Sequence, residues 1–462
     1  MARISKKNRR AVWLQLFLAH VSFNVLVGCA IAPIGNMPSS PASPVAEKKD
    51  EPENAPLLSI RAKPKAAEVT PLSPLLAKDH AVDWWLVFKF NAASFPGCGS
   101  VPHPENACIF GGSLQSYPAS SQQFVYASSL DPHLQQGTDC VGTTATADVT
   151  DPVGATFGQI YDSNDVFYVT WNDQFYGDPA IAGCGNSCAK PWGHSKGILA
   201  WNSSGDGVVM QVSTPSWPAA GSERDPRESD GNTLGCVGDN NIKVSQHFFA
   251  LKLTQQDLLA VLSGLRNASV VTDVDNAQIV RNGGPKEIQD IVTSLGKKTS
   301  GRASTMDTLS SGIRLISKPS ALHVPPWQMV SSLLNGTPLR AATWWASPKI
   351  PSTDSTTPIG CWDASLAKPG AVEIATTGQW KGKVFGLTGG PSTNNNHAKL
   401  GVSKDPARHY VITGDLNQQG ALADDCASSQ NGRGGLFFVL DNAKLFESVT
   451  DLLKGDSAPA AH

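Results

Sequence analysis

The sequence predicts an α/β (α+β) fold of two pseudo-symmetric halves, each a mixed β-sheet flanked by helices. Three observations lead there. The first is a repeated order of segments: a Trp-Trp strand, a His-x-Lys segment, a strand with a polar end, a Phe-Phe strand and a capped helix. The second is matched spacing, since His194 to Ser213 spans 19 residues and His397 to Asp415 spans 18. The third is composition. With 42 Gly, 32 Pro and only 16% charged residues, the chain suits a loop-rich exported protein better than a helical cytosolic one.

The N-terminus reads as a targeting segment over residues 1–28. Lys6 to Arg10 is a basic run, Ala11 to Val27 is apolar, and Leu26-Val27-Gly28-Cys29 has the form of a bacterial lipobox. Cys29 would be acylated and become the new N-terminus. Ala30 in the following position points to the outer membrane, with a periplasmic or cell-surface location. An ordinary N-terminal anchor is the alternative. Residues 29–80 are rich in Pro, Ala, Lys and Glu without apolar periodicity, and read as a tether. An N-terminal half over 81–310 and a C-terminal half over 311–462 follow.

In the first half, Ala81 to Phe90 has the β-branched and aromatic density of a buried strand, and so does Val166 to Trp171. The strand after His194-Ser195-Lys196 is followed by Gly207 to Ser213, then by Phe248 to Leu253. Thr254 with Asp257 makes a capping box for a helix whose apolar face is Leu258, Leu259, Val261, Leu262 and Leu265. A further helix is expected near Pro285 to Leu295. In the second half, Ala342 to Trp345 corresponds to the Trp84-Trp85 strand, and Tyr410 to Thr413 partners the His397-Ala398-Lys399 segment. Leu436 to Leu440 is a strand, and Asp441 caps a helix carrying Leu445, Phe446, Val449 and Leu452 on one face.

Nine cysteines are present; with Cys29 given to lipid, an even number remains, which in an exported chain suggests disulfides of undetermined pairing. Cys184-x-x-x-Cys188 has the form of half a zinc site, but no second close pair accompanies it. The formal charge is −2, and −7 once the five basic residues of the leader are removed. Such a chain is not a general nucleic-acid coat. A polyanion would have to be held in a local basic cleft.

The chemistry is concentrated in the two His-x-Lys segments. On a strand, side chains two apart share a face, so each segment presents an imidazole beside an ammonium. An imidazole can attack phosphorus or shuttle a proton, and an ammonium can hold phosphate oxygens. Two such pairs around one phosphate would cut a phosphodiester without metal. His-x-Lys alone is a weak signal that arises by chance; its duplicated setting gives it weight. Asp415 either orients an imidazole or caps a turn, and Arg433 either contacts phosphate or is solvated at a tight turn. The Trp pairs read as core.

From Trp84-Trp85-Leu86-Val87-Phe88-Lys89 through His194-Ser195-Lys196-Gly197 and Ser213-Thr214-Pro215-Ser216-Trp217-Pro218, to His397-Ala398-Lys399, Gly414-Asp415-Leu416-Asn417 and Arg433-Gly434-Gly435, the chain resembles the acid deoxyribonucleases of the DNase II type. Each half of those enzymes resembles a phospholipase D module. The resemblance implies a metal-independent, cofactor-free endonuclease working at acid pH through a phosphohistidine intermediate and leaving 3′-phosphate ends. It implies catalytic roles for His194, Lys196, His397, Lys399, Asp415 and Asn417, and phosphate contacts from Ser213 and Arg433. Which imidazole attacks is not set by the sequence. Expected partners are DNA, the membrane through the lipid anchor, and a second copy of the chain in a homodimer. The alternatives are a phosphodiesterase acting on another substrate, such as phospholipid, and a non-catalytic DNA-binding lipoprotein. The chain departs from the family in two places: Val212 stands where a second His is usual, and Asn396 where an acidic group commonly precedes the second His-x-Lys.

Overall fold

The computed structural model describes residues 71–97, 123–138, 141, 151–161, 165–175, 180–215, 217–218 and 243–461, with the backbone of 108–109 and 112–113. The leader, Cys29, most of the tether, and the side chains of Cys98, Cys108, Cys140 and Cys236 lie outside the described residues. In chain order the elements are β1 (Trp84–Lys89), β2 (Cys108–Ile109), β3 (Gly112–Ser113), β4 (Phe124–Ser128), β5 (Gln135–Gln136), α1 (Pro152–Tyr161), β6 (Phe167–Asn172), β7 (Lys196–Trp201), β8 (Gly207–Val212), β9 (Gln246–Leu253), α2 (Gln255–Asn267) and β10 (Val280–Arg281). They continue with α3 (Lys286–Val292), β11 (Thr305–Thr308), β12 (Arg314–Lys318), α4 (Pro326–Leu333), β13 (Leu339–Ala342), β14 (Val372–Ile374), β15 (Thr377–Trp380), β16 (Lys383–Gly386), β17 (Leu400–Ser403), β18 (Tyr410–Gly414), β19 (Gly435–Asp441) and α5 (Ala443–Leu452).

Two main sheets result. The first runs β10-β6-β7-β8-β9-β1-β4-β5 and the second β11-β12-β19-β18-β17-β13-β14. Every pairing in the first sheet is antiparallel. The expectation of a mixed sheet in each half is therefore corrected: only the second is mixed, through the parallel pair β13–β14. Most connections there are hairpin-like, and a parallel neighbour needs a longer crossover, which the Thr343–Ala371 excursion supplies.

The Phe-Phe strands show how the sequence makes three layers of core. Adjacent side chains on a strand point to opposite faces. Phe249 and Phe438 therefore turn inward and meet between the sheets at 5.2 Å. Phe248 turns outward onto Trp217, and Phe437 outward onto Trp327. The inner core gathers both inner faces with α2, α3 and α5; the outer cores pack α1 on the first sheet and α4 on the second. Full burial of one such Phe contributes about 1.5–3 kcal/mol, so β9 and β19 are anchored on both faces.

Helix α2 has its capping box from Thr254 and Asp257, and it buries Leu258, Val261, Leu262 and Leu265. Helix α5 is capped by Asn442, whose side chain accepts from Leu445 N–H; Asp441 instead ends β19. Two further assignments change. The folded unit begins before Ala81, because Leu72 is buried and Leu75 bridges to Ala81. The second sheet takes up chain from Thr305, ahead of residue 311. The Trp pairs also occupy different places: Trp84 and Trp85 lie on β1 beside β9, whereas Trp344 and Trp345 follow β13 beside β17. The strand that borders β19 as β1 borders β9 is β12, and both β1 and β12 end in a buried lysine, Lys89 and Lys318.

Candidate active site

The residues singled out from the sequence gather where the two sheets present the same ends of their strands. His194 and Lys196 stand at the start of β7, Ser213 just past β8, His397 and Lys399 just before β17, Asp415 and Asn417 just past β18, and Arg433 just before β19. All of them except Asp415 line one polar pocket of about 210 Å³. That is small beside pockets for drug-sized ligands and suits a phosphoryl group with its immediate neighbours. The His-x-Lys segments thus stand at the mouths of strands, and only Lys196 lies within one.

The His194 ring is fixed by main chain. Its Nδ1 lies 2.8 Å from the Asp415 carbonyl, and its backbone N–H donates to the Gly434 carbonyl at 2.8 Å. A carbonyl can only accept, so Nδ1 carries the proton and Nε2 keeps its lone pair. Burial, then neighbouring Lys196, holds the imidazole well below its ordinary pKa, against an opposing pull from Asp173. The Asp415 carboxylate itself turns away from the pocket: Oδ1 accepts from Gln211 and Oδ2 from Leu436 N–H. Burial raises it to about 7. The orienting contact to His194 therefore comes from its main-chain oxygen, a role that side-chain chemistry alone does not reveal.

Asp173, just past β6, is the site's buried carboxylate. Oδ1 accepts from Lys196 Nζ at 2.6 Å and Oδ2 from Arg433 Nη2 at 2.8 Å. Burial pushes it up, but Lys196, Arg433 and His194 outweigh that and hold it well below the usual carboxylate range. Arg433 is also spent on the carbonyls of Cys188, Gly193 and Trp192. Its guanidinium therefore knits the first His-x-Lys loop to the second sheet, and neither a solvated turn nor a free phosphate clamp describes it.

On the other wall, His397 N–H donates to the Ser245 carbonyl at 2.8 Å, and its ring packs in a T-shaped contact with Trp344, centroids 4.0 Å apart. His397 Nε2 is buried without a hydrogen-bond partner among the described residues. Burial first, then Lys399, lowers its pKa well below the ordinary value. No acceptor for Lys399 Nζ is found among the described residues, which leaves this ammonium for a ligand, in contrast to Lys196 on Asp173. Burial, then Lys196, lowers its pKa also. Its backbone N–H donates to Nδ1 of a third imidazole, His247 on β9, at 3.0 Å.

Asn417 Nδ2 donates to Gln419, while its Oδ1 is buried and unpartnered among the described residues, as is Gln430 Oε1 on the same pocket. The Ser213 hydroxyl is taken by Gln246 Oε1 at 2.6 Å, so its oxygen faces the pocket chiefly as wall. Val212 packs in the outer core with Trp217 and Phe248, on the face away from the pocket, so the departure from the family pattern there does not alter the pocket lining. Asn396 ties the His397 turn by accepting from Ala398 N–H and donating to the Thr343 carbonyl.

Among the described residues the lining thus holds three cations, Lys196, Lys399 and Arg433, against one carboxylate, Asp173. A mildly acidic chain has concentrated positive charge at one point, an arrangement that attracts a phosphate. Among the described residues no group of three or more His, Cys, Asp and Glu is placed to hold a metal ion. The Cys184/Cys188 pair is a disulfide, which removes the half-zinc-site reading, and Cys361 pairs with Cys426. No helix of the described residues is long and apolar enough to cross a membrane.

Asp173, Trp344, His247, Gln419 and Gln430 were not legible as site residues. Gly434 had a readable signal in Arg433-Gly434-Gly435, and its reason is now physical. A Cβ there would stand 2.2 Å from the Ala268 carbonyl oxygen, and one on Gly193 2.6 Å from the same atom. Gly434→Ala should therefore push away the segment that receives His194 N–H. A lowered melting temperature together with a loss of cleavage is the expected result, and unchanged melting would contradict the close approach.

A comparison with curated proteins returned no match. A sequence model of the family described as deoxyribonuclease II matches residues 73–455, a span that contains both sheets and every pocket residue. With that match over most of its length, the chain belongs to the deoxyribonuclease II family and is a hydrolase of that family, a deoxyribonuclease.

Proposed function

We propose that the protein is a metal-independent acid endonuclease that cuts DNA through a phosphohistidine on His194. The observation that carries this reading is the hydrogen bond from His194 Nδ1 to the Asp415 carbonyl, which leaves Nε2 with a free lone pair. In the first step that lone pair attacks phosphorus, a P–N bond forms and the P–O5′ bond breaks. His397 Nε2–H gives its proton to the departing O5′. In the second step His397, now neutral, takes a proton from water as the water oxygen attacks phosphorus. The P–N bond breaks, His194 recovers its lone pair, and the phosphate stays on the 3′ end. Lys399 neutralises a non-bridging oxygen throughout, and Lys196 provides the second cation without leaving Asp173.

The two sheets, with corresponding strand orders about a shared core, are read as duplicated phospholipase D-like modules, each giving one imidazole to a single phosphate. A cationic lining supports catalysis without metal, because it repels a metal ion and already does the work of neutralising phosphate charge. The leader and Cys29 support export as an outer-membrane lipoprotein, held to the membrane by the tether. One chain supplies both imidazoles, so a homodimer would be an addition to the site and no requirement of it.

The test is plasmid nicking in excess EDTA at about pH 5, with analysis of the ends. Polymerase extension of the nicks should fail until the 3′-phosphate is removed by a phosphatase. The pH profile has a sign. Attack needs His194 neutral and His397 protonated, and burial lowers both imidazoles. Activity should therefore rise as pH falls below the ordinary imidazole value and decline once His194 protonates, giving a bell with its maximum on the acid side. Loss of nicking on chelation, 5′-phosphate ends, or phospholipid turnover in place of DNA cleavage would each reject this reading.

A further inference from the structure

Two buried lysines make no contact with the phosphate in that mechanism, although Lys89 adds a small share to the lowering of His397. Lys89 ends β1, Lys318 ends β12, and both are 0% exposed outside the pocket lining. Lys318 Nζ donates to the carbonyls of Leu322, Asn431 and Arg433 at 2.6, 2.8 and 2.9 Å. Lys89 Nζ donates to the carbonyls of Val244 at 2.8 Å and Phe90 at 3.0 Å. Burial lowers Lys318 to about 7 and Lys89 well below the ordinary lysine value. An ammonium in such a place is costly, and a methionine would fill the same space without the penalty. Their presence calls for another reason.

The carbonyls they hold supply it. Val244 immediately precedes Ser245, whose carbonyl receives His397 N–H; Arg433 immediately precedes Gly434, whose carbonyl receives His194 N–H. Ser245 N–H also donates to the Asn395 carbonyl at 2.9 Å, which makes the same link from the other side. The chain of contacts crosses between the halves each time. Lys89, in the first sheet, fixes the segment that grips the second sheet's imidazole. Lys318, in the second sheet, fixes the segment that grips the first sheet's imidazole.

We propose that Lys89 and Lys318 are a crossed pair of positioning residues, Lys89 setting His397 and Lys318 setting His194. The inference rests on the pocket reading given under Proposed function. Two links running in opposite directions fix the separation of the imidazoles more firmly than the long chain between them can. That separation matters, because a misplacement of about 1 Å at a reacting centre can lower a rate roughly 100-fold.

The test uses the full-length protein with Lys89→Met and Lys318→Met, each apolar, unbranched and of similar length. Single-turnover cleavage is measured on ordinary DNA and on DNA carrying one 5′-bridging phosphorothiolate, whose thiolate leaves without a proton. Lys318→Met, which loosens the nucleophile, should slow both substrates about 10- to 100-fold. Lys89→Met, which loosens the acid, should slow ordinary DNA by a similar factor and leave the thio linkage within about twofold. His194→Ala should fail at both linkages, and His397→Ala should fail on ordinary DNA while still performing the first step at the thio linkage. If Lys89→Met slows both substrates equally, if Lys318→Met spares the thio linkage, or if neither variant slows ordinary DNA, the crossed positioning is wrong. If the two histidine controls do not differ, the pocket reading itself is wrong. Should neither Lys→Met nor the milder Lys→Gln give folded protein by circular dichroism, the lysines hold the fold alone and the proposal is overturned.

Discussion

His194→Ala should reduce DNA cleavage by roughly 10⁴- to 10⁶-fold, the scale seen when a covalent nucleophile is deleted. The argument is one of atoms. The ring is held at both its backbone N–H and its Nδ1, so its Nε2 has a fixed place on the pocket wall. Alanine removes the group that would bond to phosphorus and substitutes no other, since Ser213 and Lys196 are committed to Gln246 and Asp173. The fold should survive, because the ring is half-buried on the pocket wall and contributes to none of the three apolar cores. The Asp415 carbonyl loses one donor, worth about 1 kcal/mol. Quenching the parent during turnover with alkaline detergent should trap DNA joined through its 3′-phosphate to the protein in a bond stable to alkali and labile to acid, absent from the variant. Cleavage by His194→Ala at the parental rate, with melting unchanged, would remove His194 from the mechanism.

The parts of this site that were legible are those whose signal is local. His194 with Lys196 and His397 with Lys399 stand out because each pair sits just before an apolar strand and is followed, 19 and 18 residues after its His, by the polar end of the next strand. Thr254 and Asp257 are a local capping signal, and the capping box is present. Asp173 carried no such signal. Its partners lie 23 and 260 residues away, and an Asp after a strand reads as ordinary turn chemistry. Asp415 was legible as a residue and illegible as an atom, because a main-chain oxygen has no signature in a sequence. His247 belongs to no His-x-Lys pair, and a lone histidine in a strand is more often structural.

The fold shows the same division. Helix α4 escaped notice because Pro326 through Ser332 are all buried, so no polar face exists to give a helical period. Helix α1 has no acidic residue in its first turn and no basic one in its last, and it carries Gly154 and Gly158 within its span. The sequence points to Trp344-Trp345 as the strand matching β1 because tryptophan is conspicuous. The feature that β1 and β12 share is the buried lysine at the end, which looks like a surface residue in any sequence. Charge that the fold buries is the class of information that local pattern cannot supply.

Asp173→Asn tests how far that buried charge holds the site together, and it should be the most destabilising conservative change at the pocket. Among the described residues Asp173 is the sole carboxylate of the lining, and removing its charge leaves Lys196 and Arg433 as buried cations with no counter-ion among those residues. Breaking a buried pair from one side costs about 3–5 kcal/mol, and here two cations share the same partner. The pH dependence separates this from simple misfit. The folded carboxyl titrates below its unfolded value, so its contribution is present above the unfolded pKa and is lost as pH falls through the folded one. The gap between parent and variant should stay constant from neutral pH down to about 4, then narrow. A packing fault would leave it constant at every pH. Residual cleavage carries a second sign. Asp173 is the group that pulls His194 upward against burial, so its loss should lower that imidazole further and move the activity maximum to more acid pH. A variant that melts with the parent and keeps the parental pH maximum would mean that Lys196 and Arg433 are stabilised by something other than Asp173.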